Sequence, residues 1–149
     1  MTTQTVGTQT TSSNLVDTII KGITAGLVAG SVFGVMMATM GMMPMIADMI
    51  GSTSIVVGFI LHMIISAAIG GSYAIIAERI PNSWIISLGA GSAYGIVWWV
   101  LGALIIMPLV LGMNDMVLVI EDMQLMSLIG HVMFGVVLGT LYTLINKLP

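Results

Sequence analysis

Two histidines, His62 and His131, are the only imidazoles in a chain of 149 residues, and each opens the same pattern. One stretch reads His62-Met-Ile-Ile-Ser66-Ala-Ala-Ile-Gly70-Gly-Ser-Tyr73; the other reads His131-Val-Met-Phe-Gly135-Val-Val-Leu-Gly139-Thr-Leu-Tyr142. In both, histidine, a small residue, glycine and tyrosine stand at offsets 0, +4, +8 and +11. At about 100° per residue, these positions fall within about 80° of one another on a helix. Each stretch therefore predicts a narrow helical face carrying an imidazole, a smooth groove and a phenol. Such a face suits close helix packing around a polar group.

Two kinds of chemistry fit a repeated imidazole. His62 and His131 could bind copper or haem, or relay protons, since intramembrane ionisable groups face protein or water rather than lipid. Alternatively, each is a neutral ring hydrogen-bonded to a carbonyl or serine of a neighbouring helix. Methionine bears on the first reading, because soft thioethers suit Cu(I). The chain has 15 methionines, with Met63 and Met133 beside the two histidines. Met36-x-x-x-Met40 invites comparison with copper permeases, but the span count differs from theirs. On a helical wheel, Met36, Met37, Met40, Met42, Met43 and Met45 point all round, as flexible apolar filler would.

Other chemistries lack their residues. Without cysteine, disulfides and thiolate metal sites are excluded. Three basic residues offer no patch for nucleic acid. Gly89-Ala-Gly91-Ser-Ala-Tyr-Gly95 lacks the spacing and preceding strand of a dinucleotide loop and reads as helix-packing glycine. No nucleophile elbow, phosphate loop or paired carboxylates within a span are present, so catalysis by this chain alone is not expected.

The elements that must position the histidines follow from composition. Hydrophobic residues make up 58% and charged residues 6%, with mean hydropathy +1.14; a soluble domain carries roughly 25% charged residues. The chain belongs in a membrane. Residues 1–14 lack an apolar face and the charged start of a signal peptide, and read as a flexible tail. Ser13 or Asn14 is expected to cap the helix that follows, with Asp17 in its first turn. Residues 15–149 form one four-span domain, with spans at about 19–46, 55–77, 84–111 and 126–145.

In span one, Gly22, Gly26, Gly30 and Gly34 recur every fourth residue, a ridge against which another helix must lie, in this chain or in another copy. Gly91 and Gly95 repeat the spacing in span three. Pro44 and Asp48 mark the exit from span one, and Glu78 to Ser83 form a polar turn. Of Trp98 and Trp99, at least one must face another helix with its N–H satisfied. Between spans three and four, Val117–Ile120 suggests a half-turn or short helix at the membrane surface. The acidic residues there, Asp115, Glu121 and Asp122, read as a solvated loop.

Met43-Pro44-Met45 closes span one and Met107-Pro108-Leu109 closes span three, each ahead of a histidine-bearing span. The fold class is thus all-α: a four-helix transmembrane bundle of two parallel hairpin repeats, about 19–78 and 84–146, related by an axis along the membrane normal. Lys21, Arg79 and Lys147 fall on one side, so the positive-inside rule puts both termini in the cytoplasm, in a multi-pass protein of the plasma membrane. Tyr73, Trp84 and Tyr142 cluster at that boundary as an aromatic belt.

The run His62-x-x-x-Ser66, Gly70-x-x-Tyr73-x-x-x-Ala77-Glu78-x-x-Pro81, Gly89-x-Gly91, Pro108-Leu109 and Gly130-His131 resembles the YagU-like family of small helical inner-membrane proteins. The resemblance covers roughly residues 60–135 and implies the same membrane fold, with a loose association with acid tolerance. The chain departs from longer members in its methionine load and in lacking a polar insertion between spans one and two. The leading expectation is a non-catalytic accessory or structural subunit, or a homo-oligomer, with lipid and other transmembrane helices as partners. The helix-packing residues are Gly22, Gly26, Gly30, Gly34, Ser66, Gly70, Gly91, Gly95, Gly135 and Gly139. The alternatives are copper or haem binding or transport through His62, His131, Met63 and Met133, and, third, proton or ion passage along the histidine and tyrosine faces.

Overall fold

A computed structural model describes residues 12–81 and 83–147. Of the expected tail over residues 1–14, residues 1–11 lie outside the described residues, as does Asn82 of the polar turn, whereas residues 12–14 are helical. The chain forms α1 (Ser12–Thr39), α2 (Met43–Asp48), α3 (Ile55–Ala77), α4 (Trp84–Trp98), α5 (Met107–Val110) and α6 (Asp122–Ile145). A π-helical segment, Trp99–Ile106, joins α4 to α5, and a 3₁₀ turn covers Asn114–Met116. There is no strand among the described residues. Four helical stretches, Leu15–Thr39, Ile55–Ala77, Trp84–Val110 and Asp122–Ile145, are long and apolar enough to cross a bilayer. The protein is an all-helical, multi-pass membrane protein.

Local chemistry sets the helix ends. Ser54 caps α3 by accepting from the Val57 N–H, and Ser83 caps α4 by accepting from Ile86 N–H. Glu121 and Gln124 form a capping box that starts α6 four residues before the expected Met126. α1 is described from Ser12, so the backbone of Ser13 and Asn14 is already helical.

Span one is also shorter than expected at its far end. Gly41 takes φ +69, with Gly41 N–H bonded to Ala38 O and Met42 N–H to Met37 O. That left-handed turn ends α1 at Thr39. Pro44 then opens α2 and does not close α1, because its fixed φ and missing N–H suit a first helical turn. α2 folds back under the bundle, with Met43, Ile46 and Ala47 buried.

Pro108 acts differently. Lacking an N–H, it cannot bond the Leu104 carbonyl one turn back, and the chain around it winds as a π-helix. The Leu104 oxygen accepts instead from Leu118 N–H at 2.9 Å. Reaching it holds Leu118 at φ +60. The loop helix therefore lies at Asn114–Met116 and not over Val117–Ile120, whose backbone is spent on this cap.

α1 packs along α3, α4 along α6, and α1 against α6, while α3 and α4 barely meet. α1 and α6 are the central pair. Their facing residues Ala25, Ala29, Phe33, Phe134 and Leu138 form the core with Tyr73, Ala74 and Tyr142. Large apolar side chains such as Ile60, Ile64 and Ile85 point outward, as lipid-facing residues do.

Candidate functional site

The glycine ridge of α1 lies against α3 of the same chain. A Cβ on Gly26 would meet the Ser66 oxygen at 2.5 Å and the Gly70 Cα at 2.8 Å. One turn along, a Cβ on Gly30 would meet Ser66 Cβ at 2.5 Å, and one on Gly22 would strike the Gly70 carbonyl and Ala74. The second pair repeats this register. A Cβ on Gly91 would overlap the Gly135 carbonyl and approach Gly139 Cα at 3.3 Å, and one on Gly95 would overlap the His131 carbonyl. Gly70 faces Gly22 and Gly26 as Gly139 faces Ser87 and Gly91. Backbone thus lies on backbone in both seams, the contact small residues permit between helices in lipid.

At one end of these seams sit the imidazoles. His62 is buried, with Nε2 2.9 Å from the Gly30 oxygen on α1. A carbonyl only accepts, so Nε2 carries the proton and donates. Gly34 makes room for the ring: a Cβ there would stand 3.1 Å from His62 Cδ2. His131, partly buried, bonds within its own helix, with Nδ1 2.8 Å from Ser127 O. Here Nδ1 is the donor.

Phe33 of α1 stands between them. Its ring meets His62 edge-on at a centroid distance of 5.5 Å and His131 at 4.9 Å. Phe134 closes the cluster at 6.5 Å from Phe33. The two imidazoles therefore share one layer and one aromatic neighbour. Met63 lies elsewhere, in an outward apolar groove with Leu27, Phe59, Ile60 and Ile64, its sulfur 4.0 Å from Ser31 Oγ. Met133 is partly buried, on the residue before Phe134. Among the described residues, no group of three or more histidines and carboxylates converges.

The phenols form a second layer toward the α3–α4 turn. Tyr73 lies 5.2 Å from Tyr94 and 5.9 Å from Tyr142, and Tyr94 spans the α3–α4 gap through Ser72 Oγ at 2.7 Å. Between the layers, Ala25, Ala29 and Leu138 are fully buried. By helical rise, His131 and Tyr142 stand about 16 Å apart along α6, with Leu138 between them.

Phe33, Ser127 and the side-chain hydrogen bonds of Glu78 and Thr143 escape sequence reading. Phe33 is an isolated aromatic beside the ridge, and only the α1–α6 contact reveals its role. Ser127 precedes His131 by one turn, whereas Ser66 follows His62 by one turn; that inversion was the available signal. Glu78 accepts a hydrogen bond from Thr18, and Thr143 donates to Ser87, tying α1 to α3 and α6 to α4. Trp99 is the buried member of its pair, with Nε1 donating to Gln124 O at 2.9 Å. Compared with protein-family models, curated proteins and solved structures, the chain matches none.

Proposed function

We propose that this protein is a non-catalytic structural or accessory component of a membrane, built as two like hairpins with both termini cytoplasmic. One observation carries the reading: each imidazole spends a nitrogen on a main-chain carbonyl and presses the same Phe33 ring. Histidines used this way fasten helices. The matching register of Gly26 with Ser66 and Gly70, and of Gly91 with Gly135 and Gly139, supports two copies of one hairpin. Membership of the YagU-like family is part of the same proposal and rests on the motif resemblance.

Both glycine ridges are occupied within the chain, so a partner subunit or second copy must use other, lipid-facing surfaces. Orientation is supported by the basic residues gathering at one end: Lys21 pairs with Asp17 at 2.7 Å, Arg79 follows α3, and Lys147 lies 4.4 Å over the Trp84 ring. Mild-detergent purification, followed by mass measurement of the intact particle, tests the role. A stoichiometric partner or a homo-oligomer is expected; a lone monodisperse monomer contradicts it.

The second reading, copper or haem held by His62 and His131, draws on their shared layer around Phe33. It requires the free nitrogens, His62 Nδ1 and His131 Nε2, to serve one ligand. Elemental analysis and an absorption spectrum of wild type and the double histidine variant decide it; metal content unchanged in the variant disposes of it. Proton passage would have to cross the Ala25, Ala29 and Leu138 layer; flux insensitive to both histidines would dispose of that.

A further inference from the structure

The packing role of the histidines leaves a second polar region unused, at the opposite end of the bundle. There the end of α3, the start of α4 and the end of α6 surround a cavity of about 200 Å³. Its polar lining comes from Tyr73, Glu78, Ser87, Tyr142, Thr143 and Asn146. Among the described residues, Glu78 is the one charged side chain lining it.

Tyr73 marks this space as more than a packing gap. The residue is 2% exposed, and a Cβ on Gly139 would stand 3.0 Å from its oxygen, so glycine there makes room for the phenol. No enclosed side-chain polar atom lacks a partner among the described residues. The Tyr73 hydroxyl makes no hydrogen bond to them and therefore opens onto the cavity it lines. A buried phenol without a partner costs free energy unless something polar meets it.

We infer that this cavity binds an ammonium group. Glu78, the one charged group of the lining, attracts a cation, and the nearby Lys21 ammonium is spent on Asp17 outside the cavity. Hydroxyl and amide oxygens supply acceptors for three N–H donors. The Tyr73 and Tyr142 rings, perpendicular to one another at 5.9 Å, add aromatic faces that favour a cation. The cavity also sits at the level of Trp84 and Lys147, where interfacial aromatics and lipid headgroups lie. A phosphatidylethanolamine headgroup and a free small amine share this chemistry.

Binding to the delipidated full-length protein in detergent, read by native mass spectrometry and calorimetry, tests the site with three probes: phosphatidylethanolamine, phosphatidylglycerol and ethanolamine. Binding of phosphatidylethanolamine above phosphatidylglycerol identifies the lipid as the source. Binding of ethanolamine at comparable strength identifies a free amine. Glu78→Gln keeps an acceptor for Thr18, and thus the fold, while removing the charge; it should weaken the bound ammonium probe about tenfold or more. Tyr73→Phe should weaken it less, and Asp115→Asn, in the loop between α5 and α6 and away from the cavity, should leave it unchanged. Equal binding of both lipids without binding of ethanolamine, no binding of either ammonium probe, or wild-type affinity in folded Glu78→Gln overturns the inference.

Discussion

Four residues beyond Gly30 the first hairpin has Gly34; four residues beyond Gly95 the second has Trp99. Up to that point the two seams keep one register, Gly26 on Ser66 and Gly70 as Gly91 on Gly135 and Gly139. Beyond it they diverge. Gly34 leaves a hollow in α1 where the His62 ring lies, reaching the Gly30 carbonyl across the seam. Trp99 fills the corresponding place on α4 and bonds Gln124 near the start of α6. His131 accordingly bonds its own helix at Ser127 and turns its ring to Phe33 of the other hairpin. One histidine fastens the helices of its hairpin, and the other helps join the hairpins. Similar sequence motifs thus serve different contacts, decided by one residue on the facing helix.

Truncating the shared neighbour should break this comparison most severely. Phe33→Ala removes the ring that both imidazoles touch and should cost about 3–5 kcal/mol of unfolding free energy; an intact-protein thermal or denaturant titration in detergent measures it. A smaller loss is expected at the seams. Gly135→Ala places a Cβ on the Gly91 carbonyl and 3.1 Å from Gly95 N. Neither neighbour is a flexible side chain, so the cost should be about 1–3 kcal/mol. Gly26→Ala and Gly91→Ala, which strike the Ser66 and Gly135 carbonyls in matching positions, should cost about as much as each other; a clear inequality between these two would show that the seams are not equivalent.

The histidines sharpen the contrast at lower energy. Interhelical polar contacts in membranes contribute about 0.6–1.7 kcal/mol. His62→Leu should lose an amount in that range. His131→Leu, breaking a bond within one helix, should lose less in the same titration. Gly89→Ala sets the floor: nothing lies within 4 Å of its Cβ position, and the change should stay within about 0.5 kcal/mol.

Much of the bundle is legible in the chain because lipid imposes long apolar helices and small-residue contacts. The four spans, the ridge of Gly22 to Gly34 and a satisfied indole in the Trp98-Trp99 pair follow from local pattern, though not which of the two it is. What pattern does not carry is which surface meets which. The ridge needs a partner helix, but only the fold shows that α3 supplies it. Gly41 ends α1 because two hydrogen bonds close around its positive φ, and a glycine within an apolar run does not announce that. Leu118 is the sharper case: its strained backbone answers a carbonyl freed by Pro108, a dependence spanning ten residues of loop and helix. The cavity beside Glu78 is not legible in the chain because its lining is drawn from three helix ends.

The opposed hydrogen bonds of the two histidines give the most direct test. His62 faces a carbonyl with Nε2 and His131 faces one with Nδ1, so the neutral rings must carry their protons on opposite nitrogens. Nitrogen-15 NMR of histidine-labelled protein in bilayers, assigned by the single variants, reads the two tautomers separately. One Nε2–H ring at His62 and one Nδ1–H ring at His131 is the result expected of helix-fastening imidazoles. Two rings of the same tautomer, or shifts of metal-bound nitrogens at both, would contradict it.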